Sequence, residues 1–348
     1  MNSNPEKYFR VDVSDSNISV LKITALWAFS ESAFGGILHA ISVPFRGIFI
    51  SSAAVLFISL LALFSKNKNE ILKSTLIVLL VKLLVSPHTP LTAYFAVTVQ
   101  GILGYLLFLP KNIYRLPAFI LGILTLFFSG IQKIVVLTLV FGNTLWKSLN
   151  IFIQQVSMEF LSIKLDLQFG YLLITLYVSI HLLAGIFIGY YAGKLPEKIN
   201  RYKDSIPNDL LYNIQDEFPL KHKRKKKNWF FRPTGIIIIF VSISVLIYSY
   251  LYPHSLDIGS NDIVVMLIRS IVITLIWFGL IGPFIKNLFQ KHLEKKKSSY
   301  SKEINYVIDL FPQFKNIVSY CWKNSSDKTG IKRIRKFLST SFYFLLLS

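Results

Sequence analysis

Residues 43–64 read VPFRGIFISSAAVLFISLLALF. This run is apolar except for Arg46 and its serines, and it is long enough to cross the roughly 30 Å hydrocarbon core as a helix. Working outward from it, further apolar segments recur along the chain: 18–34, 71–85, 91–109, 113–141, 170–193, 235–252 and 263–289. The segment 113–141 exceeds one straight span, and Gly130 followed by Gln132 and Lys133 predicts a kink or break in its second half. Composition agrees: of 348 residues 53% are hydrophobic, only 16% are charged, and the mean hydropathy is +0.52. Soluble domains carry about 25% charged residues. The expected fold class is therefore all-α, a polytopic membrane helical bundle of about eight transmembrane helices.

Lysine and arginine placement sets the expected orientation. The tail before the first segment holds Lys7 and Arg10, and alternate loops after it hold Lys66 and Lys68, then Lys111 and Arg115. The run Lys221-His222-Lys223-Arg224-Lys225-Lys226-Lys227 and the lysines at 286, 291 and 295–297 complete the series. The intervening turns 39–42, 86–90 and 253–261 carry no lysine or arginine, and 142–169 has only Lys147 and Lys164. Excess positive charge marks the cytoplasmic side, so both termini are expected there, in a multi-pass protein of the inner (plasma) membrane. The formal net charge of +20 then reads as topogenic charge facing anionic lipid, and no nucleic-acid partner is implied. The residues 1–16 lack the basic start, apolar core and small-residue cleavage site of a signal peptide.

The chain divides on this reading into a six-helix membrane block (1–195), a basic cytoplasmic linker (196–232), a two-helix membrane pair (233–290) and a basic amphipathic cytoplasmic tail (291–348). The connection 142–169 has amphipathic spacing suited to the outer membrane surface. Within the tail, 304–322 and 330–338 are amphipathic, and 342–347 is an apolar run too short to span.

Against this apolar background a few polar side chains stand out. Ionisable groups in membrane segments cost roughly 2.5–3.5 kcal/mol each on insertion scales, which makes them functional candidates. Orientation by loop charge puts Glu31, His39, Arg46, Lys82 and His88 on the outer side of the first block, with Gln100 and His181 nearer mid-depth and Gln132 and Lys133 in the outer part of their helix. Two explanations compete. In one, Glu31 neutralises Arg46 or Lys82 and the histidines sit in water. In the other, Glu31, His39, Arg46, Lys82, His88 and Gln100 line an outward pocket with a net positive wall, suited to a small carboxylate- or phosphate-bearing solute.

Enzyme signatures are missing. There is no phosphate-binding glycine loop, no paired histidine with a third metal ligand and no Gly-x-Ser-x-Gly elbow, so neither enzyme, cofactor nor resident metal is expected. Cys321 is the single cysteine, which excludes an intrachain disulfide.

The phrases Glu31-Ser32-Ala33-Phe34-Gly35-Gly36 and Ala93-Tyr94-Phe95-Ala96-Val97-Thr98-Val99-Gln100-Gly101, set in six helices with cytoplasmic ends, resemble the substrate-binding S components of energy-coupling-factor vitamin transporters. The resemblance covers about 18–193. It implies a vitamin-like solute bound from outside, a membrane T component and cytoplasmic ATPases as partners, and energy drawn from those ATPases. The alanine-rich docking motif of the first helix is represented by Ala25 and Ala28. The histidine arrangement of metal-specific members is absent, so cobalt or nickel is not implied as cargo. Residues 233–348 are loosely similar to part of a T component. The alternative expectation is a non-transport membrane scaffold subunit that works through its basic linker and tail.

Overall fold

The computed structural model describes residues 16–34, 45–86, 89–110, 113–162, 168–203 and 261–347. Among them every regular element is helical and none is a strand. In chain order these are α1 (Ser16–Phe29) with a π-helical turn Ser30–Phe34, α2 (Arg46–Phe64), α3 (Asn69–Val85), α4 (Leu91–Leu107), α5 (Arg115–Phe141), α6 (Thr144–Leu161), α7 (Phe169–Gly193) and α8 (Leu195–Lys203). Then come α9 (Asn261–Ile276) with a second π-helical turn Trp277–Ile281, α10 (Gly282–Lys297), α11 (Ser301–Lys323) and α12 (Gly330–Leu347). Three of them, α2, α5 and α7, are long and apolar enough to cross a membrane, and α4 is a shorter apolar helix. The expected segment 235–252 lies outside the described residues.

Local chemistry explains several boundaries. In α3, Glu70 sits in the first turn and Lys82 in the last, each complementing the partial charge of its helix end. Pro90 precedes α4 in an extended conformation, where its missing N–H costs nothing. Gly142 ends α5 with φ 72°, a left-handed conformation that a side chain disfavours. The expected break in α5 does not occur. Its 27 residues form one helix, about 40 Å long at 1.5 Å per residue. Gly130 serves packing instead: a Cβ there would lie 3.1 Å from the His181 ring.

The chain packs as two compact units. One unit comprises Met1–Leu126, Leu183–Lys221 and Leu293–Ser348; the other comprises Phe127–Leu182 and His222–His292. In the first unit, α1 lies against α2 and α3, and α4 lies against α2 and α3. Its interior holds Trp27, Ile58, Leu60, Leu61, Ile77 and Leu80, all fully buried. The Thr24 and Ser74 hydroxyls are 2.7 Å apart across α1 and α3, and the Tyr114 hydroxyl donates to the Ser59 carbonyl at 3.1 Å. Glycines set the closest approaches. A Cβ on Gly101 would lie 2.2 Å from Thr75 Oγ1, and one on Gly122 2.5 Å from the Gly189 Cα. Gly185, Gly189 and Gly193 recur every fourth residue, so α7 brings one smooth face to the start of α5.

The segment read as a separate tail contributes to this same unit. Helix α11 packs on α1 and α3, and α12 packs on α11, α1 and α8. Phe29 makes edge contacts with Phe311 and Phe314, at 5.2 and 6.2 Å between centroids. Lys73 pairs with Glu303 at 3.3 Å and lies over the Tyr300 ring. The two expected tail pieces, 330–338 and 342–347, form one helix, α12.

In the second unit, α6 packs on α9. The Trp146 ring N–H donates to Thr138 Oγ1 at 3.0 Å, and Asn150 Oδ1 accepts from the Gly170 N–H. These bonds hold the first turn of α6 to the end of α5, and its second turn to the start of α7.

Candidate solute site

The π-helical turn Ser30–Phe34 shapes the site in the first unit. Single π turns carry one residue more than an α-turn and concentrate at functional positions. This turn packs against α2 and α3. Glu31 within it is 5% exposed, and Lys82 on α3 is 3% exposed. Lys82 Nζ donates to Glu31 Oε2 at 2.7 Å. Lys82 Nζ also lies 6.0 Å from the centre of the Tyr94 ring on α4, within range of a cation–π contact. The placement in the last turn of α3 helps hold the ammonium, because the terminal carbonyls there carry partial negative charge.

Six residues further along α4 than Tyr94, about 9 Å at 1.5 Å per residue, Gln100 is buried and its amide Nε2 donates to Ser51 Oγ of α2 at 3.3 Å. Among the described residues its carbonyl Oε1 has no hydrogen-bond partner. The buried Ser32 hydroxyl of the π turn is likewise without one. A buried carbonyl left without a donor costs about 1–3 kcal/mol, so such an atom is expected to meet water or a ligand.

Of the six expected site residues, the structure joins Glu31 and Lys82 directly. Gln100 stands on α4, the helix that also supplies Tyr94. Arg46 opens α2 in a half-buried position. His39 and His88 lie outside the described residues. His181, Gln132 and Lys133 belong to the second unit, where His181 is fully buried, its Nδ1 2.9 Å from the Tyr177 carbonyl and its ring tilted against Tyr177 at 4.4 Å between centroids. No group of three metal-ligating side chains occurs among the described residues.

Sequence reading missed Tyr94, Ser51 and Ser32. Each is an ordinary membrane-helix residue by type, and none carries a charge that marks it out. The usable signal for Tyr94 was helical spacing: Tyr94, Val97, Gln100, Gly101 and Gly104 are the buried face of α4.

The first unit thus holds an internally neutral charge pair facing an aromatic ring, and, further along α4, a hydrogen-bonding amide with an open acceptor. Groups of this kind can orient a small polar molecule. Compared with protein-family models, with curated proteins and with solved structures, the chain matches none.

Proposed function

We propose that this chain is a solute-binding uptake protein of S-component type, which takes a small, anionic, vitamin-like organic molecule from outside and relies on a partner ATPase for energy. The reading includes eight spans with both termini cytoplasmic. The observation that carries it is the buried Glu31–Lys82 pair beside an α4 face with an unsatisfied Gln100 carbonyl. A charge pair in a helical membrane bundle is expensive and adds little net stability over apolar side chains of the same volume, so its retention favours a binding role. An anionic solute would exchange with Glu31 for Lys82, and Gln100 Oε1 would accept from a donor on the same molecule.

The test is to purify the chain and identify small molecules that accompany it by mass spectrometry. The expected result is a polar organic anion whose cellular uptake falls at least tenfold in Gln100→Leu, a change that keeps volume and leaves the ion pair intact. If no such molecule accompanies the protein, and Gln100→Leu leaves uptake unchanged, the proposal fails.

One observation favours the second reading, a membrane scaffold subunit. Ala25 and Ala28, where the resemblance implies partner docking, are fully buried, and α1 is packed against α2, α3, α11 and α12 of its own chain. Affinity capture with the full-length protein separates the two. Recovery of an ATPase supports transport, and recovery of structural membrane proteins alone supports scaffolding.

A further inference from the structure

Helix α12 carries two apolar faces, and one of them is engaged by ring contacts with α11. On the first, Phe337 and Arg333 pack on Trp322, at 5.1 Å between rings and 4.3 Å from the guanidinium carbon to the ring centre. Phe344 meets Tyr320 on the same side at 6.1 Å, and Ser341 is buried there. The second face is formed by Ile331, Ile334 and Leu338, spaced as one stripe of a helix. These three are 85%, 51% and 59% exposed. A stripe this open on a helix otherwise docked by aromatic contacts is not needed for the fold.

The charge around the stripe identifies what covers it. Between 323 and 336 the chain has six basic residues, Lys323, Lys328, Lys332, Arg333, Arg335 and Lys336, and one acid, Asp327. Two of the cations are engaged internally: Arg333 lies on Trp322, and Lys336 donates to Asp327 at 2.7 Å. At 3.6 residues per turn Arg335 stands at the edge of the stripe beside Ile331, and Lys332 lies further round on the same side; both are exposed, as are Lys323 at the end of α11 and Lys328 just before α12. Apolar side chains in a narrow line, flanked by long cationic side chains, match the layering of a bilayer interface. The aliphatic groups enter the acyl boundary while the ammonium and guanidinium groups reach back to phosphates.

We propose that the Ile331–Ile334–Leu338 stripe of α12, with Lys332 and Arg335, is an interfacial docking surface for anionic phospholipid headgroups. It ties the α11–α12 hairpin to the membrane surface. The assignment is independent of the solute site, since none of its residues belongs to that site.

The full-length protein tests it in lipid nanodiscs. An environment-sensitive fluorophore is placed at Leu338→Cys, an exposed position. Discs contain either phosphatidylcholine alone or phosphatidylcholine with phosphatidylglycerol. In the anionic discs we expect a blue-shifted emission that is quenched by spin-labelled lipid. That shift is expected to be lost on Lys332→Glu with Arg335→Glu, and reduced by raised salt. Equal emission in both disc types, whether polar or buried, overturns the proposal. So does a blue shift that survives charge reversal; this is the result expected if a second copy of the chain or another protein covers the stripe. Because every altered side chain is exposed, an unchanged thermal transition of the variants verifies that the fold is intact.

Discussion

At the scale of single residues, the Glu31–Lys82 pair dominates. Both groups are nearly solvent-free, so removing one strands the other as an uncompensated charge. Glu31→Ala or Lys82→Ala alone is expected to cost about 3–5 kcal/mol, whereas Glu31→Leu combined with Lys82→Met should cost far less or stabilise. Thermal unfolding in detergent across this cycle checks the claim. Additive single and double effects would mean that the two side chains do not meet. Cys321 offers a second test. Burial pushes its thiol up, with the Ser341 hydroxyl bond opposing. A raised pKa means less thiolate at any given pH, so maleimide labelling of the folded protein should stay slow at pH 7 and speed up only above the ordinary thiol range. In dodecyl sulfate the same cysteine should react readily at pH 7.

At the scale of elements, glycine determines how closely helices approach. A Cβ on Gly122 would meet the Gly189 backbone at 2.5 Å, and one on Gly189 the Phe119 carbonyl at 2.5 Å. Backbone cannot rotate away as a flexible side chain can. Gly122→Ala and Gly189→Ala are each expected to destabilise by roughly 1–3 kcal/mol through overpacking, measured as a lowered unfolding midpoint. By contrast, the clash at Gly104 is with the Ile58 side chain, at 2.2 Å, which can shift. Helix positions in this protein were largely legible in the sequence, because long apolar runs have few alternatives in lipid. The stretch 43–64 became α2 at Arg46–Phe64, and 91–109 became α4 at Leu91–Leu107. The kink or break expected after Gly130 is not a break, since α5 runs continuously through it. A glycine leaves the same trace in sequence whether it bends a helix or makes room for a neighbour, here His181.

At the scale of the whole molecule, α11 and α12 belong with α1 and α3 through Phe29, Phe311, Phe314 and the Lys73–Glu303 pair. The pair itself is partly exposed and is worth no more than about 1 kcal/mol. The aromatic contacts contribute more, so a chain ending at residue 292 is expected to unfold at a clearly lower temperature than the full chain. An unchanged midpoint would show that the hairpin is a passive appendage. The proposed topology has its own check in single cysteines introduced at Arg224 and at Asp257. The first is expected to react only with reagent admitted to the cytoplasm, and the second only with impermeant reagent added outside.

Sequence alone was enough to place helices long and apolar enough to cross a membrane, and to mark Glu31, Arg46, Lys82 and Gln100 as anomalies within them. Hydrophobic length and the high energy of a charge in lipid are properties of single segments, readable one residue at a time. Which of those anomalies meet follows from helix packing alone. It paired Glu31 with Lys82, set Tyr94 beside Lys82 and Ser51 beside Gln100, put His181 in a different packing unit, and packed the basic C-terminal helices on the first helix. Side chains 50 residues apart come together through helix packing, and packing depends on complementary faces that no single stretch of sequence contains.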